Sequence, residues 1–126
     1  MSKLFGPDFI ALQVRDLEIS KLFYMEHLQL SLADQSPPGA VVFKTSPIPF
    51  AIRTAAIDLS ASPQLGWGVA IWLACRDADF FYESLQKAAV SILTPIHGGP
   101  FGRFFTFKDP DGYSITLHTK TTHATT

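Results

Sequence analysis

The dipeptide Arg-Asp occurs twice in one setting, at Arg15-Asp16 and again at Arg76-Asp77, half of the 126-residue chain apart. Each copy stands between a short apolar run and an amphipathic stretch. Phe9–Val14 (FIALQV) precedes the first and Val69–Cys75 (VAIWLAC) the second; both read as strands by length and flanks. After the first, Leu17, Ser20, Phe23, Tyr24 and Leu28 recur at helical spacing. After the second, Phe81, Leu85, Ala88 and Ala89 do the same. Asp at a helix start accepts bonds from the orphan amides of the first turn, and its charge suits the helix dipole. At the same offset Leu17, Tyr24 and Leu28 fall opposite Ala78, Leu85 and Ala89. A half of about 60 residues buries too little surface to stand well alone. Two halves are therefore expected to pack together or share one sheet.

The rest of each half reads as strands. Leu30–Leu32, Ala40–Thr45 (AVVFKT) and Pro49–Thr54 (PFAIRT) follow the first helix, with a turn at Ser36-Pro37-Pro38-Gly39. Asp58–Gly66 (DLSASPQLG) reads as a linker. Ser91–Thr94 follows the second helix, and Pro95–Gly102 is a glycine-rich loop. The chain then closes with a hairpin over Arg103–His118 (RFFTFKDPDGYSITLH). Its turn is Asp109-Pro110-Asp111-Gly112: Pro fixes φ, Asp bonds back to the backbone and Gly supplies φ > 0. Each half reads strand–helix–strand–strand–strand. Module one is expected at about 8–57, the linker at 58–66 and module two at about 67–119, all within one domain spanning 1–126. Residues 120–126, within the Thr-rich run from Thr119, are expected to fray.

Composition excludes several classes. With 47% hydrophobic residues and a net charge of −1, the chain should form a compact core and carries no basic field for nucleic acid. Cys75 is the one cysteine, so no intramolecular disulfide is possible. The segment MSKLFGPDF is not a signal peptide, and nothing approaches the ~18 apolar residues of a membrane span. A cytoplasmic protein with no nucleic-acid or membrane partner is the expectation. Eleven Phe, three Tyr and two Trp leave room for aromatic residues that line a ligand pocket. There is no Gly-x-Ser-x-Gly elbow, phosphate loop or dinucleotide fingerprint.

Three features together resemble the vicinal oxygen chelate superfamily, the glyoxalase/bleomycin-resistance/dioxygenase group. They are Val14-Arg15-Asp16-Leu17 leading into Phe23-Tyr24, the Arg76-Asp77 start, and Phe107-Lys108-Asp109-Pro110-Asp111-Gly112-Tyr113. The resemblance covers residues 8 to about 119. It implies an α+β fold of two paired βαβββ modules forming a curled, cleft-enclosing mixed β-sheet with helices packed outside. It also implies a homodimer. Metal-dependent members carry ligands that map here onto Phe9, Ala70 and Thr116. Phe and Ala have no donor atom, and one Thr hydroxyl is a poor ligand. No metal or other cofactor is therefore expected. His27 reads as the exposed side of a helix end and His123 as part of the tail. His97 and His118 alone, with no carboxylate at usable spacing, make a weak alternative site.

If Phe9, Ala70 and Thr116 face the cleft, strand parity aligns their neighbours. Phe9, Ala11 and Gln13, then Ala70, Trp72 and Ala74, then Ser114, Thr116 and His118 share the cleft side. Ile10, Leu12, Val14, Val69, Ile71, Leu73, Cys75, Tyr113, Ile115 and Leu117 form the helix-facing core, which makes Cys75 an inert buried thiol. The candidate ligand-binding set is Phe9, Gln13, Phe43, Arg53, Trp72, Phe105, Ser114, Thr116 and His118, with no catalytic residue. Trp72 reads equally as core packing, and Arg53 reads first as a solvated side chain.

The leading expectation is a metal-free protein that binds or sequesters a small aromatic or amphipathic molecule, similar to the bleomycin-resistance branch. The rival is a metal-dependent lyase, isomerase or dioxygenase with relocated ligands such as His118. A third reading fills the cleft with the protein's own side chains and leaves a dimer or regulatory role.

Overall fold

The computed structural model describes residues 3–120. Two compact units divide between Ala61 and Ser62, and they share one topology. In the first, β1 (Ile10–Val14) leads into α1 (Leu17–Leu22), then β2 (Ser31–Leu32), β3 (Ala40–Lys44) and β4 (Phe50–Thr54). In the second, β5 (Trp72–Cys75) leads into α2 (Ala78–Lys87), then β6 (Ile92–His97), β7 (Phe104–Lys108) and β8 (Ser114–Thr119). The sheet orders are β1-β4-β3-β2 and β5-β8-β7-β6. In each, the strand before the helix pairs parallel with the last strand, and the remaining pairs are antiparallel. The protein is α+β, built from two βαβββ modules, each sheet mixed and four-stranded.

Both Arg-Asp copies act as read. Asp16 Oδ1 accepts from Glu18 N and Ile19 N, both at 3.1 Å. Asp77 Oδ1 accepts from Phe80 N at 3.2 Å. The Ala78 amide, another orphan of that first turn, donates to Thr119 Oγ1 at 2.8 Å and so ties α2 to the last strand. Asp109 is buried, and its Oδ1 accepts from Asp111 N and Tyr113 N at 2.9 Å each. Gly112 closes the turn at φ 96, in the left-handed region.

Several boundaries differ from the sequence reading. Helical periodicity extended the first helix to Leu28, yet regular α-helix ends at Leu22 and a wider π turn runs over Phe23–His27. The wider turn seats two consecutive aromatics, Phe23 and Tyr24, in the core. His27 is half-buried rather than exposed, its ring 5.4 Å from that of Phe23. Strand β5 begins at Trp72; Val69 is 69% exposed and leaves the core set. Strand β6 runs through Pro95 to His97 with two register irregularities, which an edge strand tolerates because its outer amides need no partner. Thr119 and Lys120 are held rather than frayed: their amides donate to Arg103 O at 2.8 Å and Cys75 O at 2.9 Å. The remainder of the expected tail, including His123, lies outside the described residues. Among the described residues no helix is long and apolar enough to cross a membrane.

Each core lies between a sheet and its helix. In the first unit Tyr24 meets Phe43 at 5.8 Å and Phe50 at 5.3 Å between ring centroids, beside Leu12, Val14, Val41 and Ile52. In the second, Tyr82 of α2 meets Phe105 at 5.2 Å, over Phe107, Ile115, Leu117 and Leu85.

Candidate functional site

The face of the second sheet turned away from α2 gathers four of the candidate residues, Trp72, Ser114, Thr116 and His118. Register places Ala74, His118, Phe104 and His97 in one row across β5, β8, β7 and β6. Trp72, Thr116, Thr106 and Thr94 make the next row. Trp72 is 43% exposed. Its ring centroid lies 5.2 Å from Phe104, 5.5 Å from His118 and 6.2 Å from Phe101. His97 lies 4.2 Å from Phe104 on the other side. An indole left this open on a packed aromatic bed offers a flat apolar surface to a planar partner.

The loop before β7 completes this face, and its glycines let it approach. Gly102 sits at φ 96, and a Cβ there would meet the Thr119 carbonyl oxygen. A Cβ on Gly99 would press into the Phe104 ring. The loop presents Phe101, 68% exposed, and the Phe101 carbonyl accepts from His118 Nδ1 at 3.0 Å. Pro100, Phe101, Gly102, His118, Thr119 and Lys120 line a shallow hollow of about 360 Å³ beside it. Arg103 anchors the loop's end to α2 through a two-pronged ion pair with Asp79, at 2.8 and 3.2 Å.

The candidate residues scatter. Trp72, Ser114, Thr116 and His118 share the open face of the second sheet. Thr116 is nevertheless buried, its Oγ1 hydrogen-bonded at 2.7 Å to Thr106 Oγ1. Phe105 lies on the opposite face, fully buried under α2; its neighbour Phe104 takes the open side. Phe43 is likewise fully buried beneath the first helix. In the first unit Phe9 is 52% exposed, and Gln13 Oε1 accepts from Ala56 N at 2.7 Å. Arg53 is exposed and, among the described residues, has no ion-pair partner. Its sheet face also carries Gln13, Lys44 and the small residues Ala11, Ala40, Val42 and Ala51. Sequence reading missed Phe104 and Phe101. The signal for Phe104 was available, since a hairpin pairing Lys108 with Ser114 puts Phe104 beside His118.

Two further groups bear on reactivity. Burial pushes the Cys75 thiol up from its ordinary value, so it stays protonated. It lies half-buried and donates to the His118 carbonyl at 3.4 Å. Among the described residues no three His, Cys, Asp or Glu side chains gather closely enough to hold a metal ion. Of the three positions that the resemblance assigns to metal ligands, two lack a donor atom and the third, Thr116, has its hydroxyl engaged. These residues do not fit a divalent cation.

Two βαβββ modules, each with one sheet face left open by its helix, define a class of protein, and sequence comparison specifies the family. The model of the Glyoxalase/Bleomycin resistance protein/Dioxygenase superfamily matches residues 6–117. The chain belongs to that superfamily. A search of curated proteins gave no match. Among solved structures, a protein of unknown function from Agrobacterium tumefaciens str. C58 is 26% identical, covering 91% of this chain and 95% of its own, with a TM-score of 0.69. TnmS3, an antibiotic binding protein from Streptomyces sp. CB03234, is 23% identical over 96% of this chain and 100% of its own, at 0.69. The fosfomycin resistance protein FosX from Listeria monocytogenes is 19% identical over 96% and 97%, at 0.72.

Proposed function

We propose that this protein binds or sequesters a small aromatic or amphipathic molecule without metal and without catalysis. The carrying observation is Trp72, 43% exposed and bedded against Phe104, Phe101 and His118. A polar-edged aromatic surface of this kind suits an organic ligand. The absence of donor atoms at Phe9 and Ala70 removes the Lewis acid on which a superfamily enzyme would rely. Phe9, Gln13 and Arg53, all on module one, are proposed as ligand contacts in their own right. The chain acts as one domain, with module one at about 8–57, a linker at 58–66 and module two at about 67–119. It works as a homodimer in the cytoplasm.

Metal content and calorimetric titration with Zn, Mn, Fe and Ni test the reading. Less than about 0.1 equivalent of bound metal and no saturable uptake are expected, because true sites bind stoichiometrically. One equivalent per subunit, lost on His118→Ala, would overturn it in favour of a metalloenzyme with relocated ligands.

A further inference from the structure

Two histidines flank the aromatic bed, and both are fixed in the same way. His118 Nδ1 lies 3.0 Å from the Phe101 carbonyl oxygen, and His97 Nδ1 lies 2.8 Å from the Pro95 carbonyl oxygen. A carbonyl oxygen only accepts, so each Nδ1 must carry the proton. In the neutral ring the other nitrogen, Nε2, is then a bare acceptor. Among the described residues nothing bonds to Nε2 of either ring. Both histidines are register partners of Phe104, one through β8 and one through β6. Two strand spacings separate their backbones, about 10 Å.

We infer that the ligand of this face is an aromatic compound that carries a hydrogen-bond donor, a phenolic hydroxyl or a ring N–H, delivered to His118 Nε2. This deepens the binding-protein reading above and rests on it. The chemistry is selective in one direction. An aromatic hydroxyl stacked on Trp72 and Phe104 donates a hydrogen bond to the imidazole Nε2 and keeps its proton. Its methyl ether, of nearly the same shape, leaves a desolvated acceptor unpaired. An aromatic anion gains nothing from Nε2, because two lone pairs would face each other. His97, on the far side of Phe104, offers a second acceptor of the same kind to a ligand wide enough to reach it.

Naphthalen-2-ol and 2-methoxynaphthalene are the probes, titrated into Trp67→Phe protein so that Trp72 is the sole indole reporter. Naphthalen-2-ol is expected to bind about tenfold more tightly, the worth of one hydrogen bond to an acceptor that the bound ring shields from water. In His118→Ala that gap should close. In His118→Gln, whose Oε1 can stand where Nε2 stood, part of it should return. Circular dichroism on both variants checks that they fold. Equal binding of the two probes would overturn the inference and leave the binding-protein reading standing. A gap that survives in His118→Ala would also overturn it, since another group would then be the acceptor. Failure of both probes up to millimolar concentration would sink the binding-protein reading and the inference together. Long-range ¹H–¹⁵N spectra of the free protein give an answer that needs no ligand. The Nδ1–H tautomer is expected at His118, and the Nε2–H tautomer would refute it.

Discussion

The two sheets share topology and register, so their open faces can be compared position by position. Ala11 and Ala51 of the first unit correspond to Trp72 and Thr116 of the second. Gln13 and Arg53 correspond to Ala74 and His118, and Ala40 corresponds to Phe104. At these positions one scaffold bears small side chains, a glutamine and an exposed arginine, and the other bears indole, phenyl and imidazole. The helix-facing sides show no such divergence: both are closed by buried aromatics, Phe43 and Phe50 in one, Phe105 and Phe107 in the other. Core packing constrains both copies alike, because an inward polar group or a lost ring opens a cavity. The outward faces are under no such constraint, and the aromatic and imidazole side chains stand on the second.

The largest expected effect tests whether the two faces of the second sheet do different jobs. Phe104 and Phe105 are neighbours pointing opposite ways. Phe105→Ala removes a fully buried ring and should cost about 3–5 kcal/mol, read as a lowered denaturant midpoint. Phe104→Ala should cost only about 1 kcal/mol, since its site is already partly open to water, yet it should weaken aromatic ligand binding. Equal stability losses would mean that the open face is ordinary core and would break the comparison.

A smaller effect asks which sheet holds the ligand. Calorimetry with 2-methoxynaphthalene should show Trp72→Ala weakening binding about tenfold, in line with the roughly 0.5–1.5 kcal/mol of an aromatic contact plus lost area. Arg53→Ala should change it by less than about twofold, because a neutral ether offers a guanidinium little beyond what water gives. A larger loss at Arg53 than at Trp72 would move the site to the first unit.

How far the sequence revealed this follows from the same contrast. The repeat of Arg-Asp before a helix pattern and the Asp-Pro-Asp-Gly turn are local devices, each satisfied within a few residues, and both modules were legible from them. Strand parity then separated Leu12 and Val14 from Gln13, and Ile115 and Leu117 from His118. It was not carried across the hairpin, which is why Phe105 was placed with the ligand and Phe104 was overlooked. Phe43 was placed there for the same reason; its pairing with Phe50 puts it on the helix-facing side, where it is fully buried. The end of the first helix was illegible because a π turn and an α turn differ by one residue in the hydrogen-bonded ring, too little for periodicity to register. Phe101 was hidden because its place depends on a loop held by a bond from His118, a contact with no sequence signature.

The smallest effect concerns a device on the second unit that carries the loop end. Arg103 holds Asp79 on α2, with the two side chains 50% and 44% exposed. The hydrogen bond and charge of Arg103 lower the Asp79 carboxyl from its ordinary value. A carboxyl lowered in the folded state stabilises it above the unfolded value, about 3.9 for Asp, and that contribution is lost as pH falls through the folded value. Asp79→Asn should therefore differ slightly from the parent in thermal midpoint at pH 7. The gap should shrink in strong acid, and also at high salt, because exposed charges are screened. The binding experiment then separates anchoring from stability. If the ion pair positions the loop, Asp79→Asn should loosen naphthalen-2-ol binding while the midpoint barely moves. Loss of the hydroxyl preference without loss of fold would mean that the loop's carbonyl no longer holds His118 Nδ1. Unchanged binding would mean that Gly102 and the Thr119–Arg103 bond hold the loop without the ion pair.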